Sequence, residues 1–301
     1  MRYSPSPNIF THSVTHLFSP RRLRYTLPRP AMQHIILSPH YDDAALSCGG
    51  LIAQRAAAGD LVEIATVFGG RPDMATLSPF ARAIHARPGA TADLIAQRVT
   101  EERQALAILG AQPRPGGYLD CIYRREEPDG RWLYDSEEAL FGPVDPADDE
   151  LVKELAAVFA ALAPPADQSI LYAPLAVGRH VDHQVVQRAA MLLRDAGYAI
   201  LFYEDYPYVV RDPSGLPAAL DHIALPAGWQ AKPVALSRED LDRKIAAVTA
   251  YATQLAVLFG TDGAVMQSDV DGALDWFARL TAHETGTGRL AERLWVATHA
   301  S

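Results

Sequence analysis

From residue 33 onward, the spacing of apolar positions switches repeatedly between two patterns. Short apolar, often β-branched runs are typical of buried strands, and they alternate with longer segments in which apolar residues recur every three or four positions, as in helices. The predicted strands lie at residues 34–38, 61–68, 117–119, 169–173 and 199–203. The predicted helices lie at residues 49–58, 92–109, 148–162, 182–195, 238–259 and 272–282. Residues 69–92 are predicted to form a loop, and residues 121–146 to be irregular.

Alternation of strands and helices predicts the α/β class, here a single Rossmann-like, three-layer α/β/α domain with a mostly parallel sheet over residues 32–301. In such a fold the ligand crevice lies at the carboxyl ends of the strands. Residues 1–31 contain five arginines, many Ser and Pro residues and no Asp or Glu. We interpret them as a disordered or loosely attached extension, either a transit peptide or an upstream addition before Met32.

Composition narrows the function classes. The 301-residue chain is 49% hydrophobic and has a formal net charge of −9, which is unfavourable for a nucleic-acid-binding surface. Two cysteines are too few for a disulfide scaffold, and together with the acidic composition they predict a cytoplasmic protein. No apolar run approaches the roughly 20 residues of a membrane span. The sequence leaves open whether the chain forms a homo-oligomer.

The first chemically informative segment, SPHYDDAALSCGG, follows the strand at 34–38 directly. His40 and Asp43 are three residues apart, so a tight turn can aim both at one divalent metal ion. Asp42 diverges from Asp43 and is assigned to the open coordination position, where it can accept a proton from water. The alternative is a pair of aspartates that only cap the following helix.

The second segment, GRHVDH, follows the strand at 169–173 after a short loop. One of His180 and His183 would complete a site of two histidines and one carboxylate. The other would stand nearby, able to polarise a carbonyl or to protonate a leaving group. Asp182 could orient a neighbouring imidazole. Two such segments at equivalent strand ends favour a metal-dependent hydrolase over isolated helix caps.

These two segments resemble the motifs of the LmbE/PIG-L superfamily of zinc-dependent deacetylases, which act on N-acetylglucosamine-type amides. Residues 38–43 (SPHYDD) resemble the motif after the family's first strand, and residues 180–183 (HVDH) resemble its later H-x-D-H motif. Segments 98–110 and 244–255 resemble two of the family's helices. Two departures are Tyr41, where the family motif has proline, and Ala44, where it has glutamate.

The resemblance implies a role for each motif residue. His40, Asp43 and His183 would bind one Zn²⁺ per chain. Asp42 would be the general base of metal-assisted amide hydrolysis, and His180, supported by Asp182, would stabilise the oxyanion or act as the acid. The implied substrate is a small amino-sugar conjugate that loses an N-acyl group, with N-acetyl expected.

Four further residues follow other predicted strands and are candidate substrate contacts: Arg71, Asp120, Glu204 and Asp205. The last two lie in the aromatic-rich stretch 202–208 (FYEDYPY), and carboxylates beside aromatic rings suit sugar hydroxyls and ring faces. Residues 124–127 (RREE) instead predict a solvated loop.

Two other functions remain open at this stage. The same ligand set suits Fe(II), which would make the chain an iron-dependent enzyme. The predicted mostly parallel sheet argues against this, because a mainly β scaffold is expected for such an enzyme. Alternatively, the carboxylates only cap helices in a non-catalytic, Rossmann-like binding protein.

Overall fold

The computed structural model of the protein describes residues 32–86, 93–126, 130–163, 168–212, 214–223, 228–260 and 265–297. They belong to one compact unit, Ala31–Ser301. The extension predicted for residues 1–31 and the helix start predicted at residue 92 lie outside the described residues.

Within the described residues, seven strands form one sheet in the order β3-β2-β1-β4-β5-β7-β6. Strands β1 to β5 pair in parallel, and β7 runs antiparallel to both β5 and β6. The strands are β1 (Gln33–Ser38), β2 (Leu61–Thr66), β3 (Gln112–Pro115), β4 (Ser169–Pro174), β5 (Ile200–Tyr203), β6 (Trp229–Ala235) and β7 (Ala291–Ala297). The predicted α/β class and mostly parallel sheet are therefore confirmed.

The helices connect these strands and cover the sheet. They are α1 (Asp43–Ala57), α2 (Pro79–His85), α3 (Leu94–Leu109), α4 (Glu137–Leu140), α5 (Asp149–Leu162), α6 (Val181–Asp195), α7 (Tyr208–Arg211), α8 (Gly215–His222), α9 (Arg238–Thr249), α10 (Ala252–Phe259) and α11 (Gln267–Thr285).

Two buried apolar clusters lie on opposite faces of the sheet. Successive residues of a strand point to opposite faces, and β1 obeys this rule: Ile36 joins one cluster, whereas Ile35 and Leu37 join the other. Helices α1, α3, α9 and α11 supply the first cluster, and α5 and α6 supply the second. Burial on both faces explains why three successive residues at the centre of β1, Ile35 to Leu37, are all apolar.

The strand order places a switch point between β1 and β4. The chain leaves β1 for β2 and then β3 on one side, and it returns to β4 on the other side of β1. In open α/β sheets a crevice forms where the order reverses, outside the carboxyl ends of the strands. Both candidate motifs follow the two strands that flank this point.

The structure corrects several predicted elements. The third strand is β3 at Gln112–Pro115 rather than residues 117–119, and helix α2 lies inside the predicted loop. The helix predicted at 238–259 is two helices, α9 and α10. Strands β6 and β7 were not predicted. β6 contains Pro233 and exposed Gln230 and Lys232, and β7 contains the charged residues Glu292 and Arg293. In β6 the apolar and polar residues are mixed rather than strictly alternating.

Helix α1 begins at Asp43, six residues before the predicted start, and is interrupted at Cys48, whose φ of −136° is not helical. Beyond this kink, the carboxylate of Glu292 accepts the amide hydrogens of Gly50 (2.9 Å) and Leu51 (2.8 Å). The same carboxylate pairs with the buried ammonium of Lys244 at 2.7 Å. A side chain from β7 thus caps the second half of α1, as an N-cap residue normally does for its own helix.

In the described part of the chain, every helix is too short or too polar to cross a bilayer.

Candidate active site

The first motif forms a tight turn between β1 and α1. The hydroxyl of Ser38 donates to the carbonyl of His40 (2.7 Å) and accepts the amide hydrogen of Ala44 (3.1 Å). Asp42 has a φ of 96°, in the region that side chains rarely adopt. Such a backbone costs on the order of 1–3 kcal/mol, so the surrounding contacts must hold it in place. The turn leaves His40, Asp42 and Asp43 on the crevice side of the sheet.

The second motif follows a loop with three positive φ angles, at Ala176 (60°), Gly178 (84°) and Arg179 (63°). His180 is the N-cap of α6, and its Nδ1 accepts the amide hydrogen of Asp182 at 3.3 Å. His183 lies one turn further, on the same face as His180. The first turn of α6 therefore points both imidazoles at the turn that carries His40.

The two motifs bring three donor atoms together. The Oδ2 atom of Asp43 lies 3.2 Å from Nδ1 of His40 and 3.3 Å from Nε2 of His183. Nitrogens of His40, His180 and His183 lie within 4.8 Å of one another. Two imidazole nitrogens and one carboxylate oxygen at these distances form a donor set that suits Zn²⁺.

The remaining ring nitrogen of each proposed ligand is held by a carboxylate. Nε2 of His40 lies 2.9 Å from Oδ2 of Asp182, and Nδ1 of His183 lies 2.6 Å from Oδ1 of Asp205. Carboxylates behind metal-binding histidines fix the ring orientation and the tautomer. The carboxylate of Asp182 therefore supports His40. The family resemblance implied that it would support His180.

The environment of the two imidazoles suits a cation. Burial alone would lower the pKa of His40, but the hydrogen bonds to Asp182 and Asp43 raise it well above its usual value. Burial likewise opposes the charged form of His183, but Asp43 and Asp205 raise its pKa to about 9. The positive charge of two protonated imidazoles compensates the negative charge of the surrounding carboxylates. A divalent metal ion bound by the neutral imidazoles would do the same. The residues present therefore fit a bound metal.

Asp42 lies beside this set without joining it. Its burial, followed by repulsion from Asp43, raises the pKa of its carboxyl to about 7, while Arg98 and His40 act in the opposite direction. The nearest guanidinium nitrogen of Arg98 is 3.9 Å from Oδ1 of Asp42. A carboxylate with a pKa near neutrality is suited to exchanging protons at physiological pH.

His180 has the opposite electrostatic character. Burial and repulsion from His40 lower its pKa to about 3, so the ring is neutral at physiological pH. Because its Nδ1 accepts a backbone hydrogen bond, the proton of the neutral ring is assigned to Nε2. His180 therefore offers an N–H donor, the arrangement required to bind a carbonyl oxygen or oxyanion.

Arg124 overturns the prediction of a solvated loop at that position. Only 10% of its side chain is exposed, and its guanidinium lies 2.5 Å from Oδ1 of Asp182 and 2.9 Å from Oδ2 of Asp148. It also stacks over the rings of Phe68 and Tyr134. This buried charge anchors the carboxylate that orients His40. Adjacent charged residues in an irregular stretch gave no sign of that role.

The four candidate substrate contacts occupy different environments. The carboxylate of Asp120 lies 3.6 Å from Nε2 of His40, at the edge of the site. Arg71 is exposed and pairs with Asp93. Both remain predictions.

Glu204 and Asp205 are buried, and both carboxylates bond to groups of the protein. Asp205 has no exposed surface and bonds to His183 and to the amide of Val177, and Glu204 is buried against Arg293 and Trp295. Directly after a parallel strand a side chain can point into the protein as readily as into the crevice, and the sequence does not distinguish the two.

Aromatic side chains form one wall of the site. The ring of Phe141 lies edge-on to His180 at 5.5 Å and to Tyr208 at 6.0 Å, and Tyr208 lies edge-on to His183 at 5.8 Å. Phe141 follows α4, within the stretch predicted to be irregular, and no periodic pattern singled it out. Tyr208 belongs to the aromatic-rich stretch that the sequence did single out.

A cavity of about 560 Å³ is lined in part by Arg124. Its lining includes Asp73, Tyr123, Trp132 and Asp148. Arg124 contributes to both this cavity and the hydrogen bonding of Asp182.

The fold and motif pair define the class: a single α/β domain of the kind found in LmbE-like deacetylases. The model of the family "PIG-L: GlcNAc-PI de-N-acetylase" matches residues 35–193, which span both motifs. The chain belongs to this family. The resemblance inferred from the motifs is thereby confirmed.

Similar proteins agree with this assignment. A 2'-N-acetylparomamine deacetylase from Niallia circulans is 30% identical over 244 residues, which cover 76% of this chain and 82% of that protein. A protein of the same name from Streptomyces fradiae is 35% identical over 196 residues, covering 62% and 61% of the two chains. The crystal structure of the zinc-inhibited form of teicoplanin deacetylase Orf2 is 30% identical, with a TM-score of 0.73 over 89% of this chain and all of that one.

Proposed function

We propose that this protein is a zinc-dependent N-deacetylase that removes an acetyl group from an amino-sugar conjugate. The observation that carries the proposal is the convergence of His40 Nδ1, Asp43 Oδ2 and His183 Nε2, with Asp42 and His180 beside them. Relatives named as a 2'-N-acetylparomamine deacetylase and a teicoplanin deacetylase support the substrate class.

His40, Asp43 and His183 would hold the metal. When bound, zinc supplies a Lewis acid that acidifies water and polarises a carbonyl oxygen. The carboxylates of Asp182 and Asp205 keep the two imidazoles in the orientation that leaves Nδ1 of His40 and Nε2 of His183 available. These two hydrogen bonds require no rearrangement before a metal binds.

Asp42 would act as the general base. Its carboxylate accepts the proton of the attacking water, and the same carboxyl group then returns that proton to the departing amine. A group that acts in both directions works best when its pKa is close to the working pH, as the value of about 7 provides. Base and acid roles are thus assigned to one side chain.

His180 would stabilise the negative charge that develops on the carbonyl oxygen. Its ring is neutral and donates through Nε2, so it binds the oxygen without having to lose a proton first. Phe141 lies edge-on to this ring, and Tyr208 packs against Phe141 and His183, so these aromatic rings would exclude water from one side of the site. Water exclusion strengthens a hydrogen bond to a developing charge.

Two other functions make different predictions. An Fe(II) enzyme on the same ligand set would consume oxygen, and a non-catalytic binding protein would bind an amino sugar without releasing acetate. The membership of the deacetylase family and the neutral, donating His180 favour hydrolysis over both.

The test is acetate release by the zinc-loaded protein from a panel of N-acetylated amino sugars that differ in the attached group. The panel includes free N-acetylglucosamine, 2'-N-acetylparomamine and an N-acetylglucosaminyl lipid. We expect one acetate and one free amine per turnover from at least one conjugate. Binding without acetate release, or product formation only with oxygen, would contradict the proposal.

A further inference from the structure

The peptide bond between Tyr41 and Asp42 is held at both of its polar ends by one helix. The guanidinium of Arg98 donates to the carbonyl of Tyr41 at 3.4 Å. The backbone amide of Asp42 faces the carboxylate of Glu102: burial raises the pKa of that carboxyl, and this amide acts in the opposite direction. Arg98 and Glu102 lie four residues apart on α3, so they project from the same face. This peptide enters the residue whose φ is 96°.

Glu102 is buried, and its carboxylate serves as a junction between distant segments. It accepts hydrogen bonds from the hydroxyl of Thr66 at 3.0 Å and from the hydroxyl of Tyr251 at 2.5 Å. Thr66 ends β2, and Tyr251 lies between α9 and α10. Two distant segments, the end of β2 and the junction of α9 and α10, therefore fix the carboxylate that the amide of Asp42 faces.

The neighbouring residue Glu101 offers a comparison within the same helix. Glu101 is also buried, with 5% of the residue exposed against 3% for Glu102. Its carboxylate accepts hydrogen bonds from the amide and hydroxyl of Thr253, at 3.0 Å and 2.6 Å. These contacts join α3 to α10 and leave the turn at Asp42 untouched. Two adjacent buried glutamates thus contact different segments: Glu102 meets Thr66 and Tyr251, and Glu101 meets Thr253.

We propose that Arg98 and Glu102 are positioning residues, which hold the Tyr41–Asp42 peptide so that the Asp42 carboxylate faces the attacking water. The inference rests on the proposed role of Asp42 as the base. Without the two contacts the turn would relax toward a negative φ, and the Asp42 side chain would rotate away from the site. The ligands His40 and Asp43 would keep their own contacts with Asp182 and His183.

The experiment compares Glu102→Met with Glu101→Met in the full chain loaded with zinc. Both changes remove a buried carboxylate of the same size from the same helix, so both are expected to lower the midpoint of thermal unfolding. Glu102→Met alone should lower kcat, by about 10²-fold, because a small misplacement of a reacting group has that scale of effect. KM and zinc content should stay within about twofold of wild type.

A second readout does not depend on activity. In crystal structures of the two variants, φ of Asp42 should leave the positive region in Glu102→Met and keep it in Glu101→Met. An unchanged Asp42 in Glu102→Met, or an equal loss of kcat in both variants, would overturn the inference. If the wild-type protein releases no acetate from any substrate, the proposed function fails, whereas the backbone comparison still decides the positioning role.

Arg98→Lys serves if Glu102→Met does not fold. Lysine keeps a positive charge beside Asp42 but loses the planar donor that reaches the carbonyl of Tyr41. We expect kcat to fall by about 3- to 10-fold, the scale of one ordinary hydrogen bond, with unchanged zinc content. A wild-type kcat in Arg98→Lys would show that the hydrogen bond to the carbonyl of Tyr41 does not position Asp42.

Discussion

At the scale of single residues, the site is built from neighbours with opposite tasks. Asp43 pairs closely with two imidazoles, and although burial opposes its charged form, His183 and His40 hold the pKa of its carboxyl well below the usual range. Asp42, one residue earlier, has a pKa raised to about 7 by burial and by Asp43 itself. Separation of the two values assigns Asp43 to permanent charge and Asp42 to proton exchange.

The proposed oxyanion role of His180 predicts a specific kinetic effect. His180→Ala should keep zinc content and KM close to wild type and should lower kcat by about 10²–10³-fold, the scale for one lost oxyanion donor. Steady-state kinetics and metal analysis of the purified variant check this.

Loss of zinc in His180→Ala, with zinc retained in His183→Ala, would contradict the assignment. The two histidines would then have to exchange roles, since nitrogens of both lie within 4.8 Å of a nitrogen of His40.

The raised pKa of His183 predicts how the metal-free protein responds to pH. Its pKa is about 9 in the folded protein against an ordinary value of 6.5, so folding retains a proton that the unfolded chain releases. The stabilisation is complete below about pH 6.5 and is lost as the pH rises toward about 9. His40 has a pKa shifted in the same direction. Thermal unfolding of chelator-treated protein at pH 6 to 9 should therefore show a falling midpoint.

Zinc should reverse this trend, because the proton must leave each imidazole before the metal binds. The gain in unfolding temperature on adding zinc should grow as the pH rises over the same interval. A gain that shrinks with rising pH would contradict the assignment of these imidazoles as ligands.

At the scale of secondary structure, the buried pair of Lys244 and Glu292 joins α9, β7 and the kinked helix α1. Each side chain is about 3% exposed, and Glu292 also caps two amides of α1. A C-β atom at Gly49 would lie 2.8 Å from Cγ of Lys244, so the glycine is needed for this close approach. The Gly49-Gly50 pair therefore serves helix packing.

Lys244→Met keeps the apolar stem and leaves Glu292 buried without its counter-charge. We expect the free energy of unfolding to fall by about 3–5 kcal/mol, the usual cost of breaking a buried pair from one side. Lys153→Met is the matched control, because Lys153 pairs with Glu150 on the surface, and its loss should change the free energy of unfolding far less than Lys244→Met does. Urea unfolding measures both, and equal losses would show that Lys244 acts only through packing.

Elements with a strong periodic signal could be predicted from the sequence, and those defined by long-range contacts could not. Strands β1, β2, β4 and β5 are apolar and buried, and their positions were predicted to within a few residues. Strand β3 (QPRP) is exposed at every position and lies at the sheet edge, so its pairing with β2 leaves no mark in hydrophobicity. The predicted start of α1, residue 49, matches the second half of the helix, which Glu292 caps beyond the kink, whereas the first half from Asp43 was not predicted.

The site shows the same division. Residues within each motif could be placed together from their spacing and from the ends of two strands. The partners that orient them could not, because Asp182 meets His40, and Asp205 meets His183, only after the chain has folded across the switch point. Arg124 acts from another part of the chain and carries no motif of its own, and the segment that contains Glu102 resembled a family helix without indicating a contact with the site.

At the scale of the whole molecule, the described strands and site residues all lie between residues 33 and 297. The amide of Met32 donates to the carboxylate of Asp60, and the carbonyl of Met32 accepts the amide hydrogen of Leu61. Met32 is therefore already hydrogen-bonded to the folded domain. A protein that begins at Met32 should fold and hydrolyse substrate like the full chain. Insoluble or inactive truncated protein would show that residues 1–31 contribute to the core or to the site.

The central claim is that three residues hold a metal while a fourth performs the proton transfer, and one paired measurement tests it. Zinc content and acetate release are measured together for wild type, His183→Ala and Asp42→Asn. We predict about one zinc per chain in wild type, loss of most zinc in His183→Ala, and full zinc in Asp42→Asn with turnover reduced by about 10²–10⁴-fold. Full zinc in His183→Ala, or wild-type turnover in Asp42→Asn, would contradict the account.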